Sequence, residues 1–255
     1  MKLVHVGLEE PLCTAVGYPL IWTIENPAFL YRVVTDLRRQ AEGEDGDFVL
    51  LKEGKAVPLS AAVAVETDLS NLQPNDKKRL ARFCKKLEQH YVAGGDEGSL
   101  NALQGQIGAF VRELSEDFSV AVDWEEPGIA DLLKAVGIRF RQEGGLLEQL
   151  CTIADVVASV QAQQLLITVH LRRMLGAEDV IAFYRHCRAL QLELLDIEGS
   201  LPARLDGERH VIVTDDLCTI VDGDGQSGVL YERIASNAPK GAIDGFPTRL
   251  PTFEV

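Results

Sequence analysis

Cysteine is sparse in this sequence, and the few cysteines lie far apart. They are separated by dozens of residues and form neither a Cys-x-x-Cys pair nor a cluster with histidine at zinc-ligand spacing. This excludes a zinc knuckle and a dense disulfide scaffold, and reduced thiols in a cytosolic protein fit the spacing best. The five residues are Cys13, Cys84, Cys151, Cys187 and Cys218.

Long apolar runs are absent as well. The first ten residues lack the apolar stretch of a signal peptide, and no run approaches the roughly 20 apolar residues that span a membrane. We therefore expect a soluble cytoplasmic protein without a membrane partner.

Positive charge is in short supply. The chain of 255 residues has 25 lysines and arginines against 39 aspartates and glutamates, which gives a net charge of -14. Because affinity for a polyanion comes from local neutralisation of phosphates, this balance excludes a protein that coats nucleic acid with its whole surface. Nucleic acid can be a partner only where the basic residues are concentrated on one surface.

The sequence also lacks the usual enzyme motifs. No Gly-x-x-x-x-Gly-Lys-Ser/Thr run is present to cradle nucleotide phosphates, and no Gly-x-Ser-x-Gly elbow presents a serine nucleophile. We therefore predict no catalytic residues, no enzymatic activity and no nucleotide cofactor. A metal-dependent nuclease that uses the acidic residues described below is the enzymatic alternative.

Short apolar runs near both ends of the chain predict β-strands, and longer periodic segments predict helices. Asn26 and Pro27 are typical of a helix start, as an N-cap followed by a first helical residue without an amide proton. The predicted strands are residues 3–6, 20–24, 48–51, 62–65, 165–169, 192–197 and 210–214, and residues 118–122 are compatible with a further short strand. The other predicted helices are residues 75–92, 99–116, 128–136, 145–162 and 177–190.

This order predicts an α/β fold with a mixed sheet. Residues 1–70 and 163–221 would form the head. In its second part, the apolar runs 165–169, 192–197 and 210–214 alternate with a helix and indicate strands buried on both faces. Residues 71–162 would form a helical leg inserted into the head. Residues 222–255 contain many prolines and glycines without periodicity and predict a flexible tail.

The predicted helix 75–92 carries basic and apolar residues on opposite sides. Cations one helical turn apart suit contacts to successive phosphates, which position a duplex without reading its bases. A basic face that is merely solvated is the alternative interpretation. The basic residues are Lys78, Arg79, Arg82, Lys85 and Lys86, and the apolar residues are Leu80, Phe83, Cys84, Leu87 and Tyr91.

An acidic segment follows the next predicted helix. Hard divalent cations prefer several carboxylate and carbonyl oxygens, and calcium tolerates an irregular arrangement of them. Solvated acids, or acids that cap two helices, are the alternative interpretation. The carboxylates are Glu113, Glu116, Asp117, Asp123, Glu125, Glu126 and Asp131.

Several short motifs, taken in order over residues 1–221, resemble the Csn2 family, the spacer-acquisition proteins of type II-A CRISPR systems. The motifs are Ile24-Glu-Asn-Pro27, Gly46-Asp-Phe-Val-Leu50, Asn75-Asp-Lys-Lys78, Asp123-Trp-Glu-Glu126, Asp131-Leu-Leu-Lys134-Ala-Val-Gly137 and Asp215-Asp-Leu-Cys218.

The resemblance implies a function and an assembly. It implies a homotetrameric ring that binds the ends of double-stranded DNA without sequence preference, by threading the duplex through a basic central hole. The head would resemble a degraded P-loop fold without working nucleotide motifs. Calcium would support the ring, and the partners would be the adaptation integrase and the type II effector nuclease of the same locus. A protein-only scaffold of the adaptation complex is a further alternative.

The resemblance also assigns roles to the two charged segments. The basic residues of helix 75–92, joined by Lys134, would contact phosphates, although Arg139 and Arg141, or Arg172 and Arg173, could equally line the hole. The calcium ligands would be Asp123, Glu125 and Glu126, together with Asp117 and Asp131. Ser119 and Ala121 stand where relatives have acids, which would reduce the number of ligands.

Overall fold

The computed structural model describes residues 1–222 except Glu9, Asp96 and Glu143. The predicted tail, apart from its first residue, lies outside the described residues. The strands are β1 (Lys2–His5), β2 (Leu12–Cys13), β3 (Leu20–Ile24), β4 (Phe48–Lys52), β5 (Lys55–Val57), β6 (Val63–Glu66), β7 (Leu165–Val169), β8 (Glu193–Glu198), β9 (Arg209–Val213) and β10 (Thr219–Asp222). The helices are α1 (Pro27–Ala41), α2 (Leu59–Ala62), α3 (Lys77–Gly94), α4 (Glu97–Ser115), α5 (Ile129–Ala135), α6 (Leu146–Asp155), α7 (Leu171–Met174) and α8 (Ala177–Ala189), with a 3-10 turn at Leu69–Asn71 and a π-helical turn at Val156–Val160.

The larger sheet has six strands in the order β10-β9-β3-β8-β7-β6. The strands from β9 to β6 run parallel, and β10 adds an antiparallel edge. Trp22 at the centre of β3 is paired with Ile197 of β8 and Val211 of β9. Every residue of β3 and β7 is buried. The prediction that residues 20–24 form a strand is therefore confirmed, as is the prediction that residues 165–169 form a strand covered on both faces.

The smaller sheet has four antiparallel strands in the order β2-β1-β4-β5. Its β4–β5 hairpin turns at Glu53 and Gly54, which have φ angles of 51° and 78°. A two-residue turn with positive φ at both residues has a backbone twist that matches the right-handed twist of the two strands it joins. Strands β2 and β5 have only two and three residues. An alternation of apolar and polar residues cannot be recognised over so few positions, so the sequence does not predict these strands.

Helix α1 begins as predicted, directly beyond the carboxyl end of β3. The Asn26 Oδ1 atom accepts a hydrogen bond of 2.9 Å from the Phe29 amide, and Pro27 occupies the first turn. Phe29, Val33 and Leu37 are buried in the core. The mixed α/β fold predicted from the sequence is confirmed, whereas the resemblance to a P-loop fold stays a prediction.

Two apolar cores lie on opposite faces of the larger sheet. One core joins α1 and the smaller sheet to this sheet, for example through Phe29 and Trp22. The other joins α6 and α8 to it, for example through Ile153 and Phe183.

Helix α6 was expected in the leg, but its buried apolar face makes it part of the second core. Helices α3 and α5 contribute no buried residue. We call helices α3, α4 and α5 the leg, and the two sheets with α1, α6 and α8 the head.

The segment between α4 and α5 differs from the expectation. Phe118, Val120 and Val122 alternate along the chain, but residues 118–122 form no strand and these side chains are more than half exposed. The expected short strand is therefore wrong, because no strand of the described chain lies beside it to complete a ladder.

Among the described residues, every helix is either too short or too polar to span a bilayer.

Candidate nucleic-acid interface

Helix α3 has clear signals at both ends. The Asp76 carboxylate caps its start by accepting hydrogen bonds from the amides of Lys78 at 2.5 Å and Arg79 at 3.3 Å. Gly95 ends the helix with a φ of 67°, a left-handed conformation that glycine adopts without steric cost. The apolar side of the helix is half-buried and its opposite side is exposed. The predicted separation of the two faces is therefore present.

Three of the basic residues form one exposed line along α3. Lys78, Arg82 and Lys85 are spaced four and three residues apart, so they lie on the same face of the helix within about 10 Å along its axis. All three are exposed, and no hydrogen bond or ion pair within the described chain engages their side chains. We call these three residues the basic row. One strand of B-DNA presents a phosphate about every 3.4 Å of axis, so the row matches the length of roughly three phosphates.

Arg79 has a different role from the basic row. Its guanidinium forms an ion pair with Glu66 at the end of β6, and it donates a hydrogen bond of 2.9 Å to the Gln73 carbonyl. The side chains of Arg79 and Glu66 are only 12% and 11% exposed. Burial raises the pKa of Glu66, while the charge of Arg79 opposes that shift. Arg79 is thus used to fasten the first turn of α3 to the head.

Lys86 is also engaged by the head. Its ammonium group donates a hydrogen bond to the Ser159 carbonyl in the π-helical turn after α6. A helical wheel separates these two residues from the basic row, because at about 100° per residue Arg79 and Lys86 lie about 80–100° around the helix from Lys78. Helical periodicity therefore sets Arg79 and Lys86 apart from the basic row. It does not reveal their partners, because Glu66 and Ser159 lie 13 and 73 residues away along the chain.

Lys134 lies on the same side of the leg as Lys85. Both line a groove of about 520 Å³ between α3 and α5, whose floor includes Leu80 and Leu133. The Lys134 ammonium lies 3.5 Å from Asp131 Oδ1, and both side chains are largely exposed. Exposed ion pairs of this kind are weak, so Lys134 can still extend the positive surface beside the basic row. Lys77, which is not among the predicted DNA-binding residues, also lines this groove.

Of the alternative cations, Arg172 is not available for a ligand. It forms an ion pair of 2.6 Å with Glu208, and the two side chains are 7% and 0% exposed. Burial alone would raise the pKa of Glu208, but hydrogen bonds from His210, the Leu205 amide and Tyr184 outweigh it and lower that pKa. Arg173 is more exposed and lies 3.6 Å from Glu198. Arg139 and Arg141 are exposed residues between α5 and α6.

The predicted calcium ligands do not converge on one point. Asp117, Asp123, Glu125 and Glu126 are exposed along the irregular segment between α4 and α5, and Asp131 lies in the first turn of α5 beside Lys134. Within the described residues, no three of these five offer ligand atoms within 4.8 Å of one another. Calcium needs six to eight oxygen ligands, so these residues do not form a preformed calcium site within one chain.

Among the described residues, His5, Asp36 and Asp47 do bring three possible ligand atoms within 4.8 Å of one another. The His5 Nδ1 atom accepts a hydrogen bond of 3.0 Å from the Gly7 amide. A neutral histidine whose Nδ1 accepts must carry its proton on Nε2, which leaves that nitrogen without a lone pair for a metal. This group is therefore poorly suited to ligate a metal.

The start of α1 does not offer a phosphate cradle. A cradle requires backbone amides that point at the ligand, whereas here Pro27 lacks an amide proton and Asn26 takes the Phe29 amide. Asn26 also donates a hydrogen bond of 3.1 Å to the Asp215 carbonyl. Burial, and then the charge of Asp215, raises the pKa of the neighbouring Glu25. The residues directly beyond β3 therefore include acids, and their polar groups already form hydrogen bonds within the chain.

Comparison with known proteins places this chain among CRISPR-associated proteins. A family model described as CRISPR-associated protein (Cas_Csn2) matches residues 19–217. A solved structure titled "Crystal structure of Stu0660 of Streptococcus thermophilus" superposes with a TM-score of 0.54 at 15% sequence identity, over 97% of this chain and 82% of that chain. At this identity the likeness shows the fold alone. A search among curated protein sequences gave no match.

Proposed function

Since this chain belongs to the Cas_Csn2 family of CRISPR-associated proteins, we propose that it binds the ends of double-stranded DNA without sequence preference during spacer acquisition. The observation that carries this proposal is the basic row, three exposed and unengaged cations on one face of α3. Contacts from such a row reach phosphates rather than base edges, so they hold a duplex of any sequence.

The acidic composition of the chain fits this proposal only if several copies act together. One basic row neutralises few phosphates, and the chain as a whole carries a net charge of -14. In a homotetrameric ring, four basic rows converge on one axis and act together through their high effective concentration. The acids of the chain then lie away from the duplex. A closed ring also explains a preference for ends, because a closed ring passes onto a linear duplex only from an end.

The role of the protein in this proposal is binding without chemistry. The acidic segment lacks the convergent carboxylates that a metal-dependent nuclease needs, so the nuclease alternative gains no support from the geometry. Because the residues of one chain do not fit calcium, no step of the proposal depends on it, and calcium stays a prediction. The partners proposed for the bound complex are the adaptation integrase and the type II effector nuclease of the same locus.

A charge-reversal experiment tests the basic row. In the test variant, Lys78→Glu, Arg82→Glu and Lys85→Glu are combined. In the control variant, the exposed head residues Lys2→Glu, Lys55→Glu and Arg185→Glu are combined, so both variants carry the same net charge. Binding to two unrelated duplex sequences is measured by fluorescence anisotropy over a range of salt concentrations.

The test variant should bind both duplexes more weakly, to an equal extent, and show a flatter salt dependence than the wild type. The log–log slope should fall by about 0.9 for each phosphate that is no longer neutralised. The control variant should keep most of the wild-type slope. Equal weakening in the two variants would assign binding to net charge rather than to α3. Weakening on one duplex only would contradict binding without sequence preference.

A further inference from the structure

The larger sheet has a free edge at β6. Strand β6 pairs with β7 on one side, and no strand of the described chain pairs with its other side. A cleft of about 350 Å³ lies along this free edge, between β6, the end of α1 at Arg38 and the side of α3 that carries Arg82. We call this space the β6 cleft. A free strand edge is a template on which a further strand can pair.

The backbone of β6 leaves one residue of this edge free to pair. Val63 donates its amide proton to the Leu59 carbonyl, and its own carbonyl accepts a hydrogen bond of 2.7 Å from Gln163 Nε2. The backbone groups of Val63 therefore point away from β7. Because these groups point to opposite sides at successive residues of a strand, Val65 also directs its amide and carbonyl away from β7, into the cleft. No hydrogen bond within the described chain engages these two groups.

Two glutamine side chains at the β6 cleft also lack a hydrogen-bond donor. Gln161 and Gln163 both line the cleft, and the Oε1 atom of each is buried without a partner in the described chain. Gln163 is only 6% exposed, and its Nε2 atom is already bound to the carbonyls of Ser60 and Val63. Buried acceptors without donors are costly. A small turn of either side chain toward an incoming N–H group would satisfy it, so the cleft suits a ligand that is rich in N–H donors.

The charged side chains that line the β6 cleft without a partner are positive. Lys78 and Arg82 line it from α3, and no hydrogen bond or ion pair within the described chain engages their side chains. Arg38 lies 3.8 Å from Glu42 in an exposed ion pair, which is weak. The other acids at the cleft are engaged by donors of the chain, namely Glu66 by Arg79, Asp68 by Ser70, and Asp76 by the amides of Lys78 and Arg79. Acidic side chains on a ligand therefore complement this surface.

We infer that the β6 cleft binds an extended acidic segment of a partner protein, which adds a strand to the larger sheet at Val65. In this mode of recognition, main-chain hydrogen bonds give affinity, and the alternating side chains of the segment give specificity. Nucleic acid is the less suitable occupant. Its phosphate oxygens accept hydrogen bonds, whereas Gln161, Gln163 and the Val65 carbonyl require donors. The inference concerns a protein ligand and does not depend on DNA binding.

Peptides displayed on phage test this inference. A library of random peptides of about twelve residues is selected on the full chain, long enough for a strand of ordinary length. The selected peptides are synthesised with a fluorescent label, and their affinities are measured by anisotropy. Val65→Pro removes the outward amide and leaves the pairing with β7 intact, since proline is tolerated on an edge strand. Arg82→Gln removes a charge from the cleft, and Lys85→Gln removes a charge from the same face of α3 outside the cleft.

The selected peptides should carry acidic residues and bind the wild type and Lys85→Gln equally well. Val65→Pro should weaken their binding about tenfold, the loss expected for a main-chain hydrogen bond, and Arg82→Gln should weaken it severalfold. Methylation of single peptide amides should abolish binding at every second position only, which is the signature of strand pairing. Circular dichroism checks that the variants fold, and the exposed position of Arg82 keeps the test decisive if Val65→Pro does not.

Two results would overturn the inference. One is a selection that yields no peptide, or only peptides that bind Val65→Pro and Arg82→Gln as tightly as the wild type. The other is a folded Val65→Pro variant that loses DNA binding but keeps peptide binding, which would assign the β6 cleft to nucleic acid.

Discussion

The guanidinium of Arg79 forms an ion pair with the Glu66 carboxylate where the leg meets the head. Asp76 caps the helix at the same turn, and Lys86 reaches the Ser159 carbonyl two turns further on. The helix that presents the basic row is therefore attached to the head at two points along its length. This attachment holds Lys78, Arg82 and Lys85 in a fixed line.

The ion pair should be important for stability. Replacement of Arg79 by methionine leaves the Glu66 carboxylate buried without its partner, which should cost about 3 kcal/mol in the free energy of unfolding. Lys78→Met, which removes the adjacent exposed cation, should change that free energy by no more than about 0.5 kcal/mol. Urea unfolding of both variants measures the difference. Equal stabilities would show that the ion pair does not fasten the leg.

Two neighbouring lysines should differ in their effect on DNA binding. Lys85 belongs to the basic row, whereas the Lys86 ammonium is held at the Ser159 carbonyl. Lys85→Ala should therefore lower the salt slope of DNA binding by about 0.9 for each phosphate that Lys85 neutralises, and Lys86→Ala should lower it less. Salt titrations of the two variants on one duplex decide the matter. An equal or larger effect of Lys86→Ala would place the DNA on a different side of α3.

Two glycines of α4 should respond in opposite directions to alanine. At Gly105 a Cβ atom would meet nothing within 4 Å, so Gly105→Ala should stabilise the helix by up to about 1 kcal/mol. At Gly108 the same atom would collide with Trp124, so Gly108→Ala should displace that ring. The displacement should appear as a red shift of tryptophan emission. The shift can be assigned to Trp124, because the other tryptophan, Trp22, is buried in the head. An unchanged spectrum in Gly108→Ala would contradict the packing of Trp124 on α4.

A buried acid should make stability depend on pH. Asp196 is fully buried, and burial followed by the charge of Glu198 raises its pKa well above the ordinary value. Since the unfolded chain releases this proton from about pH 4 upward while the folded chain retains it, the contribution of Asp196 is lost as the pH rises through the raised pKa. Asp196→Asn keeps an oxygen for Thr168 and the Leu171 amide.

Asp196→Asn should therefore show a smaller fall in the free energy of unfolding between pH 5 and pH 8 than the wild type. Asp206→Asn, at an exposed position, should behave as the wild type does. Urea unfolding at the two pH values provides the comparison. An identical pH dependence in the wild type and Asp196→Asn would show that Asp196 does not hold its proton in the folded protein.

Features determined by nearby residues were predictable from the sequence. Asn26 and Pro27 define the start of α1 through contacts within one turn, and the apolar run of β7 predicted a buried strand because both faces of that strand are covered. The two faces of α3 followed from helical periodicity in the same way. These signals need no knowledge of the rest of the fold.

Features determined by distant residues were not predictable. The periodicity of α3 contained no sign of Glu66 or Ser159, so Arg79 and Lys86 were grouped with cations that have no partner. The segment of Phe118, Val120 and Val122 is compatible with a strand by its sequence, because a pattern does not reveal whether a neighbouring strand exists. The predicted calcium ligands are close in sequence, but an irregular segment does not bring them together in space.

The central claim, that this protein encloses the ends of double-stranded DNA, is tested most directly by comparing one duplex in linear and in covalently closed circular form. Binding is measured with the purified full chain at low salt. The account predicts binding to the linear form and little binding to the circle. Equal binding to both forms would contradict it and indicate an open surface that contacts DNA from the side.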